Sequence, residues 1–178
     1  SLRAAKYITV DSLSMKDKIY EISSIEAVVV QNGIDMDQLL KYSRLENNKS
    51  KVVSIRGMTE LYRIKEIVTA RNNTLPNLPL TFIYPFKEET YKINVENKMT
   101  SNDSSLGRLD KDKMYRLLSE AKLVISVPKS DSSPRSVYEA IFLGASVAIT
   151  YNSYYEILPL CMKERIYIVD LDNKNWFQ

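Results

Sequence analysis

Lys122-Leu123-Val124-Ile125-Ser126-Val127-Pro128 opens the stretch that decides the fold, and Ser130-Asp131-Ser132-Ser133-Pro134-Arg135-Ser136-Val137-Tyr138-Glu139-Ala140 completes it. In the first run Leu123, Val124, Ile125 and Val127 make an apolar, largely β-branched stretch that suits a buried strand, and Pro128 stops it. In the second, Ser133 is expected to cap a helix with Pro134 at its first position, where a missing N–H is harmless. Gly144 then ends that helix as a C′ residue. A buried strand running into a helix start is the beginning of a βαβ unit, so the flanking sequence should alternate in the same way.

It does. Residues 51–56 read as a buried strand closed by Gly57, and Leu61, Ile64, Ile67 and Val68 recur at helical spacing over about 60–71. Residues 78–84 form a second strand with Pro85 as a stop, and a strand is expected over 91–95 in the polar stretch 87–105. Asp110 is a good N-cap for a helix that turns Met114, Leu117, Leu118 and Ala121 to one side. Strands at 146–150 and 165–171 bracket a short helix at 154–158. Nearer the start, a strand at 6–10, a helix at 15–22 and a strand at 27–30 lead into the turn dipeptide Asn32-Gly33. Asp35 and Asp37 then cap a short helix through Leu40. The expectation is an α/β fold, a Rossmann-like parallel sheet with helices on both faces. Ligands in such sheets sit beyond the carboxyl ends of the strands. Here those ends carry Arg56-Gly57, Tyr84-Pro85, residues 128–131 and residues 150–152.

Composition narrows the chemistry. The chain has 178 residues, a net charge of +3, one cysteine and no histidine. Its basic residues are interleaved with acids, so nothing resembles a nucleic-acid footprint. A lone Cys161 gives no internal disulfide and no thiolate metal cluster, and the absent histidines remove Ser-His-Asp triads and histidine bases. Neither G-x-G-x-x-G nor a P-loop is present, which argues against nicotinamide cofactors and P-loop chemistry. Catalysis would fall to carboxylates, cations and backbone amides. No metal and no cofactor is expected.

The free N–H groups at the start of the helix expected after Ser133 favour an anion, above all a diphosphate. Asp131 precedes that start, and Glu139 lies about two turns in, on the side of Arg135 and Phe142. Two plainer readings stay open. Arg135 and Glu139 have the i, i+4 spacing of a solvated surface bridge, and Asp131 is also a residue type that caps turns.

At these residues the chain resembles the retaining glycosyltransferases of the GT-B fold, the group 1 family that includes sucrose synthases and many bacterial polysaccharide enzymes. The family motif is an acid, seven residues and a glutamate, followed by Ala and a Gly; here it reads Asp131, Glu139-Ala140 and Gly144. Val30-Gln31-Asn32-Gly33-Ile34-Asp35 is similar to the family's hinge segment. Val53-Ser54-Ile55-Arg56-Gly57 resembles the strand and arginine that open its donor domain, and Leu106-Gly107-Arg108-Leu109 its glycine-containing loop. These matches keep the family's order. The sequence departs from it in using Asp at the first acid, in placing Ser133-Pro134 where glycines are usual, and in lacking a clear counterpart of the lysine after the arginine.

The resemblance implies the C-terminal half of a GT-B fold and a nucleotide-sugar as substrate. It implies that Glu139 holds the ribose hydroxyls, Asp131 contacts the transferred sugar and Arg56 neutralises the departing diphosphate. Backbone amides at Ser133, Arg135 and Ser136 would assist, Gly107 and Arg108 would lie against the base, and Arg63 or Lys65 would supply the missing lysine. Residues 1–35 would be the tail of an N-terminal acceptor domain plus the hinge, and 36–178 the donor domain, with truncation at its C-terminus left open. The missing N-terminal domain is then an expected partner, and this piece alone should bind donor weakly without transferring sugar. The expected compartment is the cytoplasm, with contact to the inner face of the membrane left open. A GT-B epimerase, a glycan phosphorylase and a non-enzymatic α/β binding module are the alternatives.

Overall fold

The computed structural model describes residues 4–43, 48–173 and 175–178. A small parallel pair comes first, β1 (Thr9–Val10) and β2 (Val28–Val29), joined through α1 (Leu13–Ser23). Ser12 caps α1 by accepting the Met15 N–H, and Ser24 closes it in the left-handed conformation. The helix α2 (Met36–Ser43) follows, with Asp35 Oδ1 accepting the Gln38 N–H at 3.1 Å.

The main sheet is parallel throughout. Its strands are β3 (Lys51–Ser54), β4 (Leu80–Ile83), β5 (Ser104–Gly107), β6 (Ala121–Ser126), β7 (Ser146–Ile149) and β8 (Ile166–Ile168), in the order β5-β4-β3-β6-β7-β8. The chain works outward from β3 to β5, then returns to lay β6 beside β3 and works outward the other way. That reversal is the switch point at which open α/β sheets hold ligands. Period-2 alternation sends neighbouring residues to opposite faces. Val53, Val124 and Val147 join one core cluster with α2, α5 (Lys111–Ser119) and α6 (Arg135–Phe142). Val52, Ile125 and Ala148 join another with α3 (Ile64–Thr74) and α4 (Glu89–Glu96). The expected Rossmann-like sheet with helices on both faces is present.

Several local expectations need correction. The stretch 91–95 is helical, because Tyr91 and Val95 are buried at i, i+4 while Ile93 between them is 53% exposed. The third strand of the sheet is instead β5, a polar edge strand. The helix expected over 60–71 divides at Arg63, whose left-handed φ of 53° separates a 3-10 turn at Glu60–Tyr62 from α3. Pro134, not Ser133, holds the N-cap position of α6, and no side chain caps that helix. The strand expected over 165–171 pairs only at Ile166–Ile168, after a short helix α7 (Leu160–Lys163). Other signals hold. Asp110 Oδ1 accepts the Lys113 N–H at 2.8 Å, and Gly144 ends α6 at φ +85°. There the Gly144 N–H reaches the Ile141 carbonyl and the Ala145 N–H the Ala140 carbonyl, the paired bonds of a Schellman motif.

Candidate functional site

Arg56 follows β3 at the switch point, where its guanidinium meets the end of β6. Nε donates to Ser126 Oγ at 2.7 Å, and a terminal nitrogen is ion-paired with Asp131 Oδ2. The guanidinium also lies 5.6 Å from the centre of the Tyr62 ring. Asp131 is fixed from its other side: its N–H donates to Asn152 Oδ1 at 2.9 Å, and its Oδ1 accepts the Ser132 N–H at 2.9 Å. Thus Asp131 does hold its own turn, as the plainer reading allowed, and it is an ion-pair partner as well. Burial pushes the Asp131 carboxyl above its ordinary range, against the pull of Arg56. Desolvation outweighs the pair here because both side chains are largely sealed, at 12% and 15% exposed.

The start of α6 is tied to the segment before α2. Asn32 donates from its backbone N–H to Ser133 Oγ at 2.8 Å and from its side-chain amide to the Ser133 carbonyl at 2.9 Å. Gln31 donates to Tyr138 Oη at 3.2 Å, and Ser132 Oγ to Asp11 Oδ2 at 2.7 Å. Ser133 is therefore engaged with Asn32 rather than capping the helix. Further along α6, Glu139 is 5% exposed and accepts from Tyr115 Oη at 2.9 Å. No ion pair joins it to the exposed Arg135 among the described residues, so the surface-bridge reading fails. Burial raises the Glu139 carboxyl, while the Tyr115 hydroxyl, then Arg135 and Lys111, pull it down.

A hollow of about 250 Å³ opens between the carboxyl ends of β3, β4 and β5. Its walls are Arg56-Gly57 and Tyr62, Ile83 to Phe86, and Gly107 to Leu109, closed by Met114 of α5 and Ser136 of α6. Pairing beyond the strands shapes it: the Met58 N–H donates to the Phe86 carbonyl, and the Glu88 N–H to the Met58 carbonyl. Gly57 is packed so closely beneath Phe86 that a Cβ there would stand 2.5 Å from the ring.

Of the residues singled out from sequence, Arg56, Gly107, Arg108 and Ser136 share this hollow, and Asp131 joins through Arg56. Arg63 and Lys65 line two other hollows, beside Asp170 and beside Trp176 respectively. Sequence reading overlooked Ser126, Tyr62, Phe86 and Tyr115. A serine inside an otherwise apolar strand and a tyrosine on a buried helix face were the available signals, since each needs a polar partner.

No family model matches the chain, and no curated protein matches it in sequence. Solved structures match it in fold. AviGT4, a glycosyltransferase involved in avilamycin A biosynthesis, superposes with a TM-score of 0.73 at 15% identity, over 94% of this chain and 52% of that one. Alr3699/HepE of Anabaena, in complex with UDP and glucose, gives 0.72 at 16% identity over 88% and 48%. The trehalose-6-phosphate synthase OtsA gives 0.64 at 10% identity over 86% and 42%. The chain spans about half the length of these structures. They are GT-B glycosyltransferases, and this chain has the fold of their Rossmann-like, C-terminal half.

Proposed function

We propose that the chain is the donor-binding half of a retaining hexosyltransferase. In this reading the whole enzyme moves a sugar from a nucleotide-sugar to a glycan or lipid-linked acceptor, in the cytoplasm, during bacterial polysaccharide assembly. One observation carries it: an apolar hollow, an arginine and a free helix start converge at the switch point of the sheet.

The base enters the hollow between Tyr84, Phe86 and the Gly107-Arg108 loop. At about 250 Å³ it falls short of the ~300–1,000 Å³ of pockets that enclose whole ligands, so it takes one moiety and leaves the rest to a facing surface. The ribose reaches Glu139. The diphosphate lies against Arg56 and the N–H groups of Arg135 and Ser136, because Pro134 has none to offer. Stabilising that leaving group as charge develops is the catalytic contribution of this half. Asp131 faces the transferred sugar.

Residues 1–35 belong, in this reading, to the tail of the acceptor domain and the hinge, and 36–178 to the donor domain. The first segment exposes Tyr7, Ile22, Val28 and Val30 at 56–77% around a two-stranded sheet, and a sheet that small is marginal by itself. A second domain covering those residues accounts for them. The chain alone then binds donor without completing transfer. Contact with a membrane surface would belong to the whole enzyme; among the described residues no helix is long and apolar enough to cross one.

Calorimetry with UDP, GDP and their sugars tests the reading. Binding that is lost in Glu139→Ala and kept in Glu164→Ala, an exposed site far along the chain, supports it. An absence of binding to any nucleotide would leave a non-enzymatic α/β module as the better description.

A further inference from the structure

Glu139 presents its two oxygens differently. Oε1 accepts from Tyr115 at 2.9 Å, whereas Oε2 has no hydrogen-bond partner among the described residues. Oε2 is nevertheless absent from the fully enclosed unpartnered atoms, so it keeps an opening. Ser136, one turn earlier on the same side of α6, lines the hollow, as does Met114 next to Tyr115. Glu139 itself does not line the hollow, but α6 brings Ser136 to its wall one turn before the open oxygen.

Tyr115 is fully buried, its ring 5.6 Å from Tyr42, and the Tyr42 hydroxyl is itself committed to Asp112 at 2.6 Å. Packing alone at this position would be served by phenylalanine, since a buried phenol must find an acceptor. The acceptor it finds is one oxygen of a buried carboxylate, and that bond stops the carboxylate from rotating.

We infer that Tyr115 is the positioning residue that fixes Glu139 with its free oxygen toward a ribose 2′,3′-diol, so that this pair selects ribonucleotides over 2′-deoxyribonucleotides. The inference rests on the donor-site reading above. Its chemistry is simple. A carboxylate anchored at one oxygen accepts from a diol at the other without reorganising, and charge-assisted bonds of this kind are strong. Burial raises the Glu139 carboxyl, and Tyr115 works against that rise, with help from Arg135 and Lys111. An ionised carboxylate only accepts hydrogen bonds, which is what a diol requires.

Calorimetry on the full chain with UDP, GDP and ADP identifies a binding diphosphate, whose 2′-deoxy form is then compared in wild type, Tyr115→Phe, Glu139→Gln and the double variant. Wild type should prefer the ribose form by about tenfold or more. Tyr115→Phe should lose most of that preference while binding the deoxy form about as well as wild type. The double variant should be no worse than Glu139→Gln, since both changes act on one interaction. A purely structural Tyr115 would weaken both ligands alike, and that result, or an unchanged preference in Tyr115→Phe, overturns the inference. If Tyr115→Phe fails to fold but the double variant folds, the phenol serves only the carboxylate, and the inference stands. If neither folds, Tyr115 is a core residue and the inference is lost. Wild type that binds no diphosphate sinks the functional reading beneath it; wild type that binds ribose and deoxyribose forms equally sinks the inference alone.

Discussion

The guanidinium of Arg56 and the carboxylate of Asp131 are ion-paired across 75 residues of sequence, on either side of the reversal in strand order. The cation proposed for a diphosphate is thus balanced by an internal anion. An incoming diphosphate competes with that anion for the same guanidinium.

Competition has a direction that calorimetry can read. Asp131→Asn should bind the bare nucleoside diphosphate several-fold more tightly, because Arg56 keeps its charge and loses its rival. Arg56→Ala should bind it about tenfold or more weakly, the scale of one charged hydrogen bond. If Asp131 also meets the transferred sugar, Asp131→Asn should gain affinity for the diphosphate and lose it for the nucleotide-sugar. Equal losses for both ligands would mean that Asp131 supports Arg56 instead of competing with it.

Burial raises both Asp131 and Glu139, and this fixes a pH dependence of stability. A carboxyl raised in the folded state keeps its proton after the unfolded chain has released its own. Stability from such a group is fully present below the unfolded value and is lost as pH rises through the folded one. Thermal midpoints should therefore climb on going from pH 7 towards the ordinary carboxylate range. Glu139→Gln should flatten that climb and raise the midpoint at neutral pH, whereas Asp131→Asn should flatten it without that gain, because it leaves the enclosed Arg56 guanidinium without its partner. Asp110 and Glu96, both lowered, act only below that window. A wild-type midpoint that falls steadily over the same interval would contradict the assignment.

Most of the sheet was legible because its inner strands are buried on both faces. Residues 123–127 and 52–55 are apolar, β-branched runs broken only by one serine each, a pattern that suits buried strands. The edge was not legible. β5 pairs with β4 alone, and Ser104 and Leu106 point into the open, so no apolar run announces it. At 91–95, Tyr91, Ile93 and Val95 satisfy a period of two, while Tyr91 and Val95 satisfy i, i+4; only packing against α3 decides. The site divides in the same way. Arg56, Asp131 and Glu139 were singled out by motif order, but the pairing of the first two, and of Glu139 with Tyr115, is long-range contact that spacing does not encode.

The most enclosed ion pair among the described residues lies away from the site. Arg71 of α3 is paired with Asp103, both side chains fully buried, and Asp103 also accepts the N–H groups of Leu80 at 2.8 Å and Thr100 at 2.7 Å. One aspartate thereby fastens α3, the entry to β4 and the approach to β5. Asp103→Ala should cost about 3–5 kcal/mol in urea denaturation, because it strands a buried guanidinium. Replacing both partners with apolar residues should cost less than the single change. The reverse order would show that the pair itself, and not the avoidance of an orphan charge, holds these elements.

Gly57 separates binding from stability. Its φ lies outside the left-handed region, so alanine is not excluded by the backbone. The obstacle is Phe86, with ring atoms 2.5 and 2.7 Å from where the new Cβ would stand, and Tyr62 at 3.0 Å. Phe86 is 52% exposed, so its ring can swing outward at small cost. Replacing glycine also narrows the unfolded ensemble, a gain of about 0.4–1 kcal/mol that offsets much of that cost. Yet Phe86 and Tyr62 both form walls of the hollow, and moving them reshapes the surface proposed for the base. Gly57→Ala should thus change unfolding free energy by about 1 kcal/mol or less while weakening nucleotide binding roughly tenfold. Paired denaturation and calorimetry decide it: unchanged affinity in a folded Gly57→Ala protein would mean that the base does not sit against Phe86.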